Sequence, residues 1–243
     1  MIALDNFWEV AADETTMTKE ITVGNHDNRI LVVLVTAGTT SLPVANCASV
    51  IFNTTESLTY ITGSNADNGD YQAVQGWYLI APSVTTANVV LDWDGSTSPD
   101  GNMCIWSLYN VDQSTPVGAV NELGDTSGDS PILNSITTTV DDSWVLQVLG
   151  NGAGTVDPDR MVAASGQTKR NTGSGGSGSG DYDLFAGDLL VASHGATDIN
   201  ITDSINDGDW SQQLAVEIIA AAGAPAALVR DIIGGSGIIP VPR

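Results

Sequence analysis

Few side chains in this sequence are of types that do chemistry, and their spacing argues against most reactions. The histidines are His26, in a Gly24-Asn-His-Asp-Asn28 turn, and His194, in Ser193-His-Gly195. Nucleophilic catalysis needs a serine or cysteine against a base that a third group orients. There is no Gly-x-Ser-x-Gly elbow, and neither Cys47 nor Cys104 stands beside a plausible base. The glycines of Gly173–Gly180 carry no lysine and do not lead a strand into a helix, so they are not a phosphate loop. Glycoside hydrolysis needs two carboxylates facing across a cleft. Acidic residues here are concentrated in turns; only Glu217 sits on a strand among apolar neighbours, and it has no evident partner. No enzymatic activity and no cofactor are expected.

Two binding chemistries need separate weighing. Asp92, Asp94 and Asp100 gather hard oxygen donors in a turn of the kind that wraps calcium, but the glycine comes early and no glutamate closes the loop. Asx turns account for the same residues, so these three are weak calcium candidates and no metal is expected. Stacked aromatics hold sugars in many sandwiches. Trp77, Trp93, Trp106 and Trp144 lie in strand segments with aliphatic neighbours and belong to a core. Trp210, in Asp207-Gly-Asp-Trp-Ser211, and Tyr182 are the sugar-stacking candidates.

The elements that must position these residues read as strands. Short segments recur between Gly, Asn, Asp, Ser and Pro clusters: Lys19–Val23, Arg29–Thr36, Ala48–Asn53, Ser57–Thr62, Gln72–Ala81, Ala87–Trp93, Met103–Tyr109, Leu133–Val140, Ser143–Leu149, Met161–Thr168, Asp181–Ser193, Asp198–Thr202 and Gln212–Ile219. None has a helical period. Ile30-Leu-Val-Val-Leu-Val35 is continuously apolar, which suits a strand covered on both faces. In the segment ending at Trp93, Val89, Leu91 and Trp93 share one face and Asp92 and Asp94 the other. This is the sandwich or barrel pattern, and an all-β, antiparallel sandwich of two stacked layers is expected over residues 1–220. The glycine-rich run 171–180 is expected to be a hairpin tip inside it.

Composition narrows the partners. With 7 basic and 29 acidic residues among 243, the net charge is −22, which repels phosphate backbones and anionic membranes. No nucleic acid or membrane partner is expected. Only 15% of residues are charged and 42% are hydrophobic, enough apolar material to fold. The opening Met1-Ile-Ala-Leu-Asp-Asn-Phe-Trp8 lacks the basic and apolar regions of a Sec signal, so export by that route is not expected. Leu214–Val229 is the longest apolar stretch, and Glu217, Gly223 and Pro225 break it. Two cysteines are too few for a disulfide framework and read as buried thiols, with a single bridge the other possibility.

Beyond Ile219 the composition turns to alanine, glycine, proline and isoleucine. Residues 221–243 read as an extended arm, with Ile232, Ile233, Ile238, Ile239 and Val241 as the side chains that would dock on a neighbouring subunit by strand addition. A frayed terminus is the plainer reading.

Several phrases together resemble one family: Asn28-Arg-Ile-Leu-Val-Val33, Gly76-Trp-Tyr-Leu-Ile-Ala-Pro82, Thr86-Ala-Asn-Val-Val-Leu91, Val111-Asp-Gln-Ser-Thr-Pro-Val-Gly118, Gly166-Gln-Thr-Lys-Arg170 and Gln213-Leu-Ala-Val-Glu-Ile-Ile219. In this order, over roughly residues 20 to 220, the chain is similar to a jelly-roll-like β-sandwich domain found in tailed-phage structural proteins and bacterial surface proteins. The resemblance implies a structural or adhesive role and carries no catalytic residue; the glycine-rich tip and apolar tail depart from it. Between those two settings, the expected lack of a Sec signal and the assembly-like tail favour a virion protein: a capsid decoration or cement protein, or a head fibre, made in the host cytoplasm and bound to other virion proteins and to its own copies. A carbohydrate-binding adhesin module at an extracellular surface is the alternative.

Overall fold

The computed structural model describes residues 1–38, 46–64, 66–67, 72–94, 100–125, 132–152, 161–171, 182–203 and 211–223. Among these residues there is no helix, and every strand pairing is antiparallel. The described residues form an all-β sandwich in which three main sheets stack, where the sequence led us to expect two layers.

The central sheet runs in the order β1 (Ala3–Asp13), β10 (Asp100–Tyr109), β3 (Ile30–Gly38), β8 (Gln72–Ile80) and β6 (Thr59–Tyr60), with β7 (Ala66–Asp67) also on β8. Successive side chains of a strand point to opposite faces. In β3, Leu31, Val33, Val35 and Ala37 therefore enter one core, and Ile30, Val32 and Leu34 enter the other. All nine residues of β3 are buried, as the unbroken apolar run requires. Each such aliphatic side chain contributes about 1.5–3 kcal/mol through burial.

The upper sheet, β2 (Thr16–Thr22), β9 (Thr86–Trp93), β4 (Cys47–Phe52) and β5 (Glu56–Ser57), closes the first core with Met17, Ile21, Val50, Phe52, Val89, Leu91 and Trp93. The lower sheet is β11 (Val117–Asp125), β19 (Ser211–Ile218), β13 (Ser143–Gly152), β16 (Tyr182–Val191) and β15 (Thr168–Lys169). Leu146, Val148, Leu184, Leu214 and Val216 close the second core around the fully buried Trp106. The far face of the lower sheet is capped by two ribbons, β12 (Ser135–Thr138) with β17 (Gly195–Asp198) and β14 (Met161–Ala163) with β18 (Ile201–Asp203). Ile136, Met161, Ile199 and Ile201 seal it against Val145, Leu149 and Phe185.

Two long strands were not anticipated, and both have local reasons. In β1 the register shifts between Leu4 and Asn6, which breaks the alternation that would have revealed it. In β11 the sequence Val-Gly-Ala-Val-Asn-Glu-Leu-Gly-Asp is poor in strand formers and is irregular between Val117 and Val120. Other segments read as single strands are divided: 133–140 contributes only β12, and 161–168 is split between β14 and β15. β15 and β16, which flank the glycine-rich run, pair as an antiparallel hairpin; residues 172–181 lie outside the described residues.

Candidate functional site

Glu217, the carboxylate that the sequence placed on a strand among apolar neighbours, is fully buried in β19. Its Oε1 accepts from the Thr139 amide at 2.8 Å and the Val140 amide at 3.2 Å. Its Oε2 accepts from the Ala119 amide at 2.8 Å and the Thr139 hydroxyl at 2.9 Å. Burial pushes the carboxyl up, but these four hydrogen bonds outweigh it and hold it below the usual glutamate range. A general acid needs a raised pKa and a proton that substrate can reach; this group has neither and instead ties β19 to β11 and to the turn before β13. Gly118 belongs to the same arrangement, since a Cβ there would lie 2.3 Å from Glu217 Oε2.

His26, Asp5 and Ser107 have the composition of a catalytic triad but are wired differently. His26 Nε2 lies 3.1 Å from Asp5 Oδ1, and the Ser107 hydroxyl donates to Asp5 Oδ2 at 3.0 Å. The serine thus bonds to the acid and not to the base, and it is buried. The Gly24 amide fills Asp5 further at 2.8 Å, while the His26 ring stacks on Tyr109 with centroids 4.2 Å apart. The group pins β1 to β10 and to the turn before β3.

Beside it, the segments around Arg29, Pro82 and Val111–Gly118 meet. Arg29 donates from Nε to the Pro82 carbonyl at 3.2 Å and from its terminal nitrogen to the His26 carbonyl. The Gln113 amide donates to the Arg29 and Val111 carbonyls at 3.2 and 3.0 Å. Asp112 Oδ1 accepts the Thr115 and Ser114 amides, both at 2.8 Å, which holds its carboxyl below the usual range and makes a turn after β10. Asn28, Ala81 and Asn110 here take positive φ values of 52°, 50° and 61°. Arg29, Pro82, Asp112 and Gln113 therefore close one end of the sandwich.

Sequence reasoning missed a second polar group beneath the ribbons, because glutamines and asparagines carry no distinctive spacing. The Gln213 side chain donates to Gln147 Oε1 at 2.7 Å and to the Ile199 carbonyl at 2.8 Å. Asn134 donates to Gln213 at 3.0 Å and accepts from Asn121 at 2.7 Å. Above them Leu133, Asn134, Ser135, Asp198 and Asn200 line an open groove of about 360 Å³. Arg170 grips Asp188, which is buried in β16, through two contacts at 2.5 and 2.9 Å. His194 contacts the exposed Asp141 at 2.7 Å, and the amide and ring of His194 lower that carboxyl.

The remaining sequence candidates fare unevenly. Asp92 and Asp94 are exposed at the end of β9 and Asp100 begins β10, but residues 95–99 between them lie outside the described residues. Among the described residues no group of three or more His, Cys, Asp or Glu is placed to hold a metal. Trp210 and the arm residues Ile232, Ile233, Ile238, Ile239 and Val241 also lie outside the described residues, as does the side chain of Tyr182. The backbone of Tyr182 pairs with Gly152, and Asn151 pairs with both Asp183 and Ser211. Ser211, the residue after Trp210, and Tyr182 therefore reach the same end of the lower sheet, one on each side of β13.

Cys47 and Cys104 are free and buried, one in the first core and one in the second. Burial pushes Cys47 up to about 12 and Cys104 well above its usual value, so neither thiol is a nucleophile. No helix among the described residues is long and apolar enough to cross a membrane. No family model, no curated protein and no solved structure matches the chain.

Proposed function

We propose that this chain is a non-enzymatic virion structural protein, a capsid decoration or cement protein or a head fibre of a tailed phage. It is made in the host cytoplasm and attaches to other virion proteins, its own copies included, through its C-terminal arm or a sandwich edge. The observation that carries this reading is Glu217. The carboxylate best placed by sequence for chemistry is used up, with four donors, in holding strands together. The family resemblance points the same way, because its residues Arg29, Pro82, Asp112 and Gln113 serve cohesion at one end of the fold. A net charge of −22 supports it further, since such a surface is repelled by packaged genome and by other particles.

The test is cosedimentation with purified particles. The full chain is expected to band with the particles, and deletion of Asp231–Arg243 is expected to release it while the fold persists. A full chain that never bands with particles overturns the reading. The register that brings Ser211 and Tyr182 to one sheet end favours the second reading, a carbohydrate-binding module. A glycan array decides it: binding lost in Trp210→Ala supports it, and no binding to any sugar retires it.

A further inference from the structure

β1 is an edge of the central sheet: among the described residues it pairs only with β10. It is eleven residues long, and its apolar side chains are only partly covered. Trp8, Val10 and Ala12 pack on the first core; Leu4 and Phe7 pack on the second. A strand laid along this edge would extend a sheet that has a core on each face, as β3 already does. Such a strand needs apolar side chains at successive positions, because neighbours point to opposite faces. The arm has that pattern twice, at Ile232-Ile233 and Ile238-Ile239.

Position and charge agree with it. The described chain leaves the body next to the start of β1: the Ala221 amide donates to the Asn110 carbonyl at 2.9 Å, Asn110 donates to the Met1 carbonyl at 3.3 Å, and Ala3 pairs with Tyr109. Residues 224–243 reach roughly 65 Å when extended, against about 37 Å for β1. Arg230 and Arg243 against Asp231 give them a net charge of +1, whereas residues 1–223 carry 5 basic and 28 acidic residues, a net −23. Pro240 and Pro242 have no amide hydrogen to donate, which only an edge strand tolerates.

We propose that residues 231–239 of one copy pair with β1 of a neighbouring copy. On its own β1 the arm would start beside Ala3 and run parallel to the strand. Every strand pairing of the described molecule is antiparallel, the somewhat more stable mode, and exchange between two copies permits it. This inference rests on the self-association part of the proposed function.

The test uses purified protein without particles, so its outcome is separate from that of cosedimentation. Chains carrying Ala11→Cys, at an exposed position of β1, are mixed with chains carrying Ser236→Cys and treated with a short bismaleimide. The native thiols are buried. A crosslinked heterodimer is expected, and it should be lost when the second chain also carries Ile232→Asp and Ile238→Asp. Absence of the heterodimer overturns the proposal, as does a double-cysteine chain that links only within itself. Deleting residues 224–243 is expected to speed hydrogen exchange in β1 about tenfold while β3 stays protected; unchanged exchange in β1 also overturns it.

Discussion

Glu217 illustrates how much a single buried carboxylate can organise. With its folded pKa below the ordinary value of about 4.3, it stabilises the fold fully above that value and loses this as pH falls through the lower, folded one. Glu217→Gln keeps the shape but turns an amide NH₂ toward donors, so a loss of about 2–4 kcal/mol is expected at pH 7. Urea denaturation should show that difference shrinking toward pH 3, whereas an equal loss at both pH values would mean the charge is not its source. Gly118→Ala should cost a comparable ~1–3 kcal/mol by pushing a methyl group onto Glu217 Oε2. Sequence singled out Glu217 by its apolar neighbours, but its partners Ala119, Thr139 and Val140 are some 77 to 98 residues distant and no local pattern names them.

At the scale of elements, short strands are held by specific ties. β15 has only two residues paired with β16, and Arg170 just beyond it clasps the buried Asp188. Arg170→Met is expected to cost about 3–5 kcal/mol because it leaves a buried carboxylate unpaired. Adding Asp188→Leu should recover most of that in thermal melts, and a double variant no better than the single one would refute this account. Strands buried on one or both faces, such as β9 and β3, were legible because burial imposes a period on their side chains. β1 and β11 were not, since a register shift in one and glycines in the other erase the period, and their pairing comes from partners distant in sequence.

For the whole molecule, the dominant fact outside the cores is like charge: 29 acidic residues against 7 basic ones. Self-repulsion weakens the compact state, and salt screens it over about 10 Å or less at 0.1 M and above. Raising NaCl from low ionic strength to about 0.5 M should therefore raise the melting temperature by roughly 2–4 °C, equivalent to ~1 kcal/mol. A melting temperature that falls or stays flat would show that paired charges such as Arg170–Asp188 outweigh the repulsion. Screening should also aid association of acidic copies.

By itself the sequence determined that this chain is all-β, that the apolar run Ile30–Val35 suits a strand covered on both faces, and that Val89, Leu91 and Trp93 share one face. These follow from the two-residue period of a strand and from the burial of apolar surface, both local properties. Tertiary structure alone decided that three sheets stack instead of two, that β1 and β11 are strands, and that Glu217, His26 and Asp5 serve as ties. A hydrogen bond between residues a hundred positions apart, such as Ser107 to Asp5, leaves no trace in spacing; it exists only after the sheets have packed.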